Sequence, residues 1–180
     1  MLNTDIGIDL EGYMHVLFKS GTPLPAETSI LVEPTCNEVE LGFYQGHHVY
    51  VKDNTFLGGR TLIHDIDSKM GRFEIKCVLN TNSTLKINIG ELIEEYTYCN
   101  DLIEVIISPE EETIRETENA RQIYKEYIRE TIHTLEEIKD KISPKLIERV
   151  RWASGILNVE NVTKDEYEKA QLEVESWLKI

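Results

Sequence analysis

The chain has 180 residues, 41% of them hydrophobic, and its formal net charge at pH 7 is −14. That length suits one large domain or two small ones, and the composition is typical of a globular protein. An acidic surface repels polyanions, so we expect no nucleic-acid partner and attribute the charge to solubility. The apolar runs are too short to span a bilayer, and no export signal is recognisable, so we expect no membrane association.

The cysteines indicate a reducing compartment. Cys36, Cys77 and Cys99 are odd in number and widely spaced, which argues against a disulfide framework. No two of them lie at the spacing of zinc ligands. The sequence therefore predicts a cytoplasmic protein without a structural metal.

Residues 5–107 have the pattern of short β-strands. Apolar residues alternate at Ile6 and Ile8, and again from Met14 to Phe18, so each run would present one apolar face. Strands of five to seven residues with a turn about every ten predict an antiparallel sandwich. Further strands are predicted at 29–32, 61–63, 73–79 and 85–89, with an extra strand or an irregular connection over 90–108.

A hairpin around Gln45-Gly46 is the clearest feature of this region. Val39, Leu41 and Phe43 would share one face of its first strand. Alternation resumes after the turn, and Asp53-Asn54 then supplies residues that tolerate tight turns. We expect the second strand to cover residues 47–52.

Residues 109–180 change to the helical period. Ser108-Pro109 and Ser143-Pro144 each combine an N-cap serine with proline at the first helical position, and Thr163 to Glu166 forms a capping box. The predicted helices cover 110–141, 144–157 and 164–178 and can form a small bundle. The sequence predicts an α+β chain, with an antiparallel β-sandwich at 1–107 and a C-terminal helical subdomain at 108–180.

Motifs of catalysis are missing. No glycine-rich phosphate loop follows a predicted strand, and the serines lack a nucleophile-elbow setting. The histidines form no pair at helical ligand spacing, and the neighbours His47 and His48 would point apart in a strand. We therefore predict no catalytic residue, no metal ligand and no enzyme activity.

Three motifs in order resemble the C-terminal substrate-binding domain of the seventy-kilodalton heat-shock chaperones, the DnaK type. The spacing of Gln45-Gly46, Asp53-Asn54 and Leu57-Gly58 is similar to the peptide-binding sandwich of that family. Residues 6–25, with Thr22-Pro23-Leu24-Pro25 as a loop, resemble its first strands, and residues 161–168 are similar to a helix start in its lid. The resemblance covers nearly the whole chain.

The resemblance implies a molecular chaperone of the stress response that holds extended apolar segments of unfolded proteins in a hydrophobic groove. One pocket would take an aliphatic side chain, while the peptide backbone pairs with the loop edges. Periodicity alone favours ordinary core for the same residues, and both interpretations stay open. The implied peptide-binding residues are Ile6, Ile8, Val32, Val39 and Leu41, with Leu10 and Thr35 at the positions of an arch over the peptide.

The resemblance also implies partners outside these 180 residues. ATP would bind a separate N-terminal ATPase domain, which is an implied partner together with co-chaperones, so we expect no cofactor here. The chain is then either an excised piece of a longer chaperone or a natural stand-alone relative. Ser143-Pro144 ends the first predicted helix early, and residues 34–37 form a short loop. We therefore expect a lid that covers the groove incompletely.

Two other classes of protein remain open. In the first, the sandwich is a scaffold and the helical end binds a partner protein through exposed Tyr124, Tyr127 or Trp152. In the second, the chain is a regulatory subunit of an enzyme, which only its acidic charge suggests.

Overall fold

The structure is a computed structural model of the chain and describes residues 1–32, 38–63, 72–102 and 104–179. It contains two compact units, Met1–Ser108 and Pro109–Ile180. Among the described residues, the first unit holds two antiparallel four-stranded sheets and the second holds three α-helices. This confirms the predicted fold class, a β-sandwich followed by a helical region.

The strands of each sheet are given in spatial order. Sheet A consists of β2 (Tyr13–Phe18), β1 (Ile6–Leu10), β4 (Glu38–Gln45) and β5 (Thr55–Ile63). Sheet B consists of β3 (Ala26–Val32), β6 (Phe73–Leu79), β7 (Thr84–Ile89) and β8 (Leu92–Thr97). The predicted strands at 29–32 and 61–63 are the ends of β3 and β5, and β8 is the extra strand expected after residue 90.

The core of the first unit lies between the sheets. Because side chains alternate along a strand, each strand gives one face to this interior. In β4, for example, Leu41 and Phe43 are buried while Glu40 is exposed. The buried cluster consists of Leu2, Ile6, Ile8, Phe18, Leu41, Phe43, Ile75, Cys77, Leu79, Leu85, Ile87 and Tyr98.

A ring and an ion pair join the edge strands β5 and β8. A Cβ atom at Gly58 would lie only 2.3 Å from Cδ1 of Tyr96, so glycine leaves the room that this ring needs. The centroids of the Tyr96 and Phe43 rings are 5.8 Å apart, within the range of favourable aromatic pairs. Arg60 in β5 donates a hydrogen bond to the carboxylate of Glu94 in β8. These contacts connect the edge strands of the two sheets.

The predicted central hairpin is wrong in its second strand. β4 pairs instead with β5, which places Gln45 opposite Thr55, and residues 47–52 form no strand. Val51–Asp53 is a short 3-10 helix. Val49 and Val51 are nevertheless buried, which explains why their alternation resembled that of a strand.

The side chain of Asn54 holds this loop in place of a strand ladder. Its oxygen accepts a hydrogen bond from the amide of His48 at 3.0 Å. Its nitrogen donates to the carbonyl oxygens of His48 at 2.7 Å and Tyr50 at 3.0 Å. Such side-chain bonds satisfy backbone groups that a hairpin would have paired across its strands.

The helical unit consists of α1 (Pro109–Glu137), α2 (Pro144–Ala153) and α3 (Lys164–Leu178). The predicted capping box of α3 is present, since Thr163 N donates to Glu166 Oε2 at 2.8 Å and Glu166 N to Thr163 Oγ1 at 3.4 Å. α1 and α2 end four residues before their predicted ends, and 3-10 turns follow at Lys139–Lys141 and Ser154–Asn158. The buried hydrophobic side chains are Ala120, Tyr124, Ile128, Leu135, Val150, Tyr167 and Val174.

Tyr124 lies at the centre of this helical core. It is 1% exposed, and its hydroxyl donates a hydrogen bond to the carbonyl oxygen of Ala153 at 3.0 Å. Burial, assisted by the charges of Glu173 and Tyr127, raises the pKa of Tyr124 from 10.0 to about 12. The expectation that Tyr124 is exposed for partner binding is therefore wrong.

The raised pKa of Tyr124 predicts a loss of stability at alkaline pH. The folded state favours the neutral phenol, so this stabilisation is complete below pH 10 and disappears as pH rises through about 12. In Tyr124→Phe the helical unit should lose about 0.5–1.5 kcal/mol at pH 8, because the hydrogen bond is missing. Between pH 10 and pH 12 the variant should lose less stability than the parent chain. Urea unfolding followed by circular dichroism at 222 nm measures both effects.

The control for this experiment is Tyr13→Phe, which removes a phenol from the sandwich and should leave the helical transition unchanged. Equal alkaline losses in the parent chain and in Tyr124→Phe would contradict the assignment to Tyr124.

Candidate functional site

The interior of the sandwich is buried to different depths at its two ends. The first end contains the β1–β2 turn, the start of β4 and the end of β3. The opposite end contains the start of β3 and the ends of β2 and β4. Along the central strands β1, β4 and β6, interior residues at the opposite end and in the middle are buried, whereas those at the first end are half-buried. Edge strand β3 differs, because its inward-facing residues are half-buried along its whole length.

The opposite end is closed by nonlocal contacts. Leu2 is fully buried, and its amide donates to the carbonyl oxygen of Thr22 at 2.8 Å. The amide of Cys99 donates to the side-chain oxygen of Gln45 at 2.9 Å, and the side-chain nitrogen of Gln45 donates back to the carbonyl oxygen of Cys99. The hydroxyl of Tyr98 donates to the carbonyl oxygen of Asn80 at 2.9 Å. These bonds hold buried side chains over this end of the interior.

The half-buried end forms the candidate site, which we call the apolar end. Val39 and Leu62 are paired across β4 and β5, and Val32 and Phe73 are paired across β3 and β6. Leu10 belongs to the same end because it stands next to the β1–β2 turn. All five side chains, Leu10, Val32, Val39, Leu62 and Phe73, are partly accessible and pack against the buried core. Apolar surfaces of two sheets therefore meet solvent at one place.

The structure divides the predicted peptide-binding residues into two groups. Ile6 and Ile8 are 0% exposed and Leu41 is 4% exposed, so these three lie in the core cluster. Leu10, Val32 and Val39 lie at the apolar end. Thr35 lies outside the described residues.

Sequence reasoning did not assign Leu62 and Phe73 to the site. Both were placed in predicted strands, but the resemblance carried over only positions in the first four strands. The sequence signal was limited to position, because Leu62 is an apolar residue next to the end of β5 and Phe73 is an apolar residue at the start of β6. Strand register, which the sequence does not state directly, was the missing information.

The aromatic residues of the helical unit differ in accessibility. Trp152 on α2 is 78% exposed, whereas Tyr127 is only partly accessible. Of the three residues considered for partner binding, Trp152 is thus the one with a largely free side chain.

Neither metal ligands nor a membrane span is found in the part of the chain that the structure describes. No group of three or more His, Cys, Asp or Glu side chains there is arranged to hold a metal ion. No helix among these residues has the length and apolar character needed to cross a bilayer. The five described side chains that define the apolar end are all hydrocarbon.

Comparison with known proteins adds no identification, since no family model and no curated protein matches the chain.

The division of the predicted site can be tested by stability. Ile8→Ala removes buried methyl and methylene groups and should cost about 2–5 kcal/mol of unfolding free energy. Leu31→Ala in β3 is the control, because Leu31 is 50% exposed on the outer face of sheet B. That change should alter the free energy by about 0.5 kcal/mol or less. Urea unfolding measures both, and a cost at Ile8 as small as that at Leu31 would contradict its place in the core.

Proposed function

We propose that the sandwich unit binds an extended segment of another polypeptide, with one apolar side chain of that segment inserted at the apolar end. The observation that carries this proposal is the change in burial along β1, β4 and β6, from buried Ile8, Leu41 and Ile75 to half-buried Leu10, Val39 and Phe73. An aliphatic side chain placed there would extend the existing core. The motif resemblance to DnaK-type chaperones supports the same function, namely the holding of unfolded segments.

The energetics of such a contact favour weak and reversible binding. Burying one leucine side chain contributes about 1.5–3 kcal/mol. Each backbone hydrogen bond between the peptide and a strand end adds about 0.5–1.5 kcal/mol. Ordering the peptide opposes these terms, so affinity should not exceed the micromolar range, about −8 kcal/mol. That range suits a protein that must hold many different segments and release them.

The charge around the apolar end restricts the segment further. Three solvent-accessible glutamates are sequence neighbours of residues at the apolar end. Glu11 follows Leu10, Glu38 precedes Val39 and Glu74 follows Phe73. Glu74 already pairs with Lys76 at 3.8 Å, but carboxylates beside the site still disfavour an acidic peptide at low ionic strength. The preferred partner is therefore an apolar segment without acidic residues beside its central side chain.

Adjacent residues of β3 give a matched test of this function. Val32 faces the interior at the apolar end, while Leu31 faces outward and is 50% exposed. Val32→Asp should weaken binding of a fluorescent heptapeptide with a central leucine at least about tenfold, a difference of about 1.4 kcal/mol. Leu31→Asp adds the same charge on the opposite face and should stay within about twofold of the parent affinity. Fluorescence anisotropy measures the two affinities.

Two further observations make the result decisive. Circular dichroism must show that both variants keep the parent β-sheet signal. A second peptide with aspartate in place of its central leucine should bind the parent chain weakly. Parent-like affinity in folded Val32→Asp, or equal binding of the two peptides, would reject the apolar end as the site.

A further inference from the structure

The outer face of sheet A carries a notch of about 320 Å³. Glu40, Gly42 and Tyr44 alternate with the buried residues Leu41 and Phe43, so they lie on the side of β4 that faces away from the core. Gly42 is paired with Gly59 in β5, and both glycines line the notch without contributing a side chain. This volume is about ten times the ~30 Å³ share of one water molecule in the liquid, which is enough for the end of a long side chain.

Two aromatic rings lie over the paired glycines. A Cβ atom at Gly42 would be 2.9 Å from Cε2 of Tyr44, and one at Gly59 would be 3.2 Å from Cζ of Phe56. The ring centroids are 5.2 Å apart and the planes are inclined by 58°. Phe56 is 58% exposed, so much of its ring is accessible from solvent. An accessible ring beside a notch offers a negative π surface to a cation.

Two carboxylates complete the notch. Asp9 in β1 and Glu40 in β4 both line it, and Asp9 is fixed by a hydrogen bond of 2.8 Å from the amide of Gly12. Burial is the main cause that raises the pKa of the Tyr44 hydroxyl, and the negative charge of Asp9 is the second. The second cause is consistent with a carboxylate close to this ring. The positive charge among the lining residues is Arg60, which already pairs with Glu94. The lining of the notch therefore leaves negative charge unbalanced.

We propose that this notch binds the guanidinium group of an arginine side chain from a partner polypeptide. A guanidinium is planar, stacks on aromatic rings and pairs with carboxylates through a fork of donors, so it matches both components of the lining. The net charge of −14 would also draw basic segments toward the protein. The simpler role of the rings, to cover two glycines, does not account for the carboxylates beside them. This site lies on the opposite face of the sheet from the core, and it does not depend on the function proposed for the apolar end.

Small blocked peptides test the proposal on the full chain. Acetyl-Gly-Arg-Gly-amide is titrated at low ionic strength while the backbone amide signals of Gly42 and Gly59 are followed by NMR. Both signals should shift in a saturable way. The citrulline peptide keeps the shape of arginine without its charge and should bind at least about fivefold more weakly, and the lysine peptide at least about threefold more weakly. Binding of citrulline or lysine as tight as that of arginine, or no shift at the two glycines, would overturn the assignment.

Variants provide the matched controls. Glu40→Gln and Phe56→Leu should each weaken binding of the arginine peptide at least about threefold. Glu27→Gln removes the same charge from an exposed position in β3 of sheet B and should change it less than about 1.5-fold. All three variants should bind the apolar heptapeptide as the parent chain does, which separates failure of this proposal from failure of the proposed function. Parent-like arginine binding in folded Glu40→Gln and Phe56→Leu would reject the notch.

Discussion

The sandwich depends on one constraint, which is that two four-stranded sheets must bury their apolar faces against each other. Period-2 alternation gives every strand one such face, and residues such as Ile8, Phe43 and Ile75 remove it from water. A two-layer interior still has two ends, and the strands themselves cover neither. At one end Leu2 and Tyr98 cover the interior and are held by backbone and side-chain hydrogen bonds. At the other end the interior reaches solvent, so the feature proposed to bind a peptide follows from how the core ends.

The fold class was predictable because its signals are local. Alternation marked the strands, and the caps at Ser143-Pro144 and Thr163 marked helix starts that the structure contains. The loop between β4 and β5 was not predictable in the same way. Val49 and Val51 alternate because both are buried, and burial also occurs without a strand. The conformation of this loop depends on hydrogen bonds from the side chain of Asn54 to the backbone of His48 and Tyr50. A hydrophobic pattern contains no information about such bonds.

The candidate site shows a second limit of sequence reasoning. Alternation assigns Ile8 and Leu10 to the same face of β1, but it cannot tell that the first is fully buried and the second half-buried. Depth along a strand depends on what covers each end of the sandwich, and here the cover comes from residues far away in the chain. How deeply each side chain is buried could therefore be known only from strand register and tertiary contacts. For the same reason Leu62 and Phe73 could join the site only after their pairing with Val39 and Val32 was known.

Strand β4 meets opposite demands on its two faces. On the inner face, Leu41 and Phe43 are large enough to fill the core. On the outer face, Gly42 leaves room for the ring of Tyr44 beside its partner Gly59. A glycine inside a strand costs roughly 0.5–1 kcal/mol relative to alanine through lost chain entropy. The rings of Tyr44 and Phe56 cover the two glycines, and an aromatic pair contributes about 0.5–1.5 kcal/mol beyond the area it buries, which offsets much of that cost. Because the two faces use alternate residues, the strand can vary its outer surface without changing a core side chain. One strand can thus carry a packed interior and a separate recognition surface.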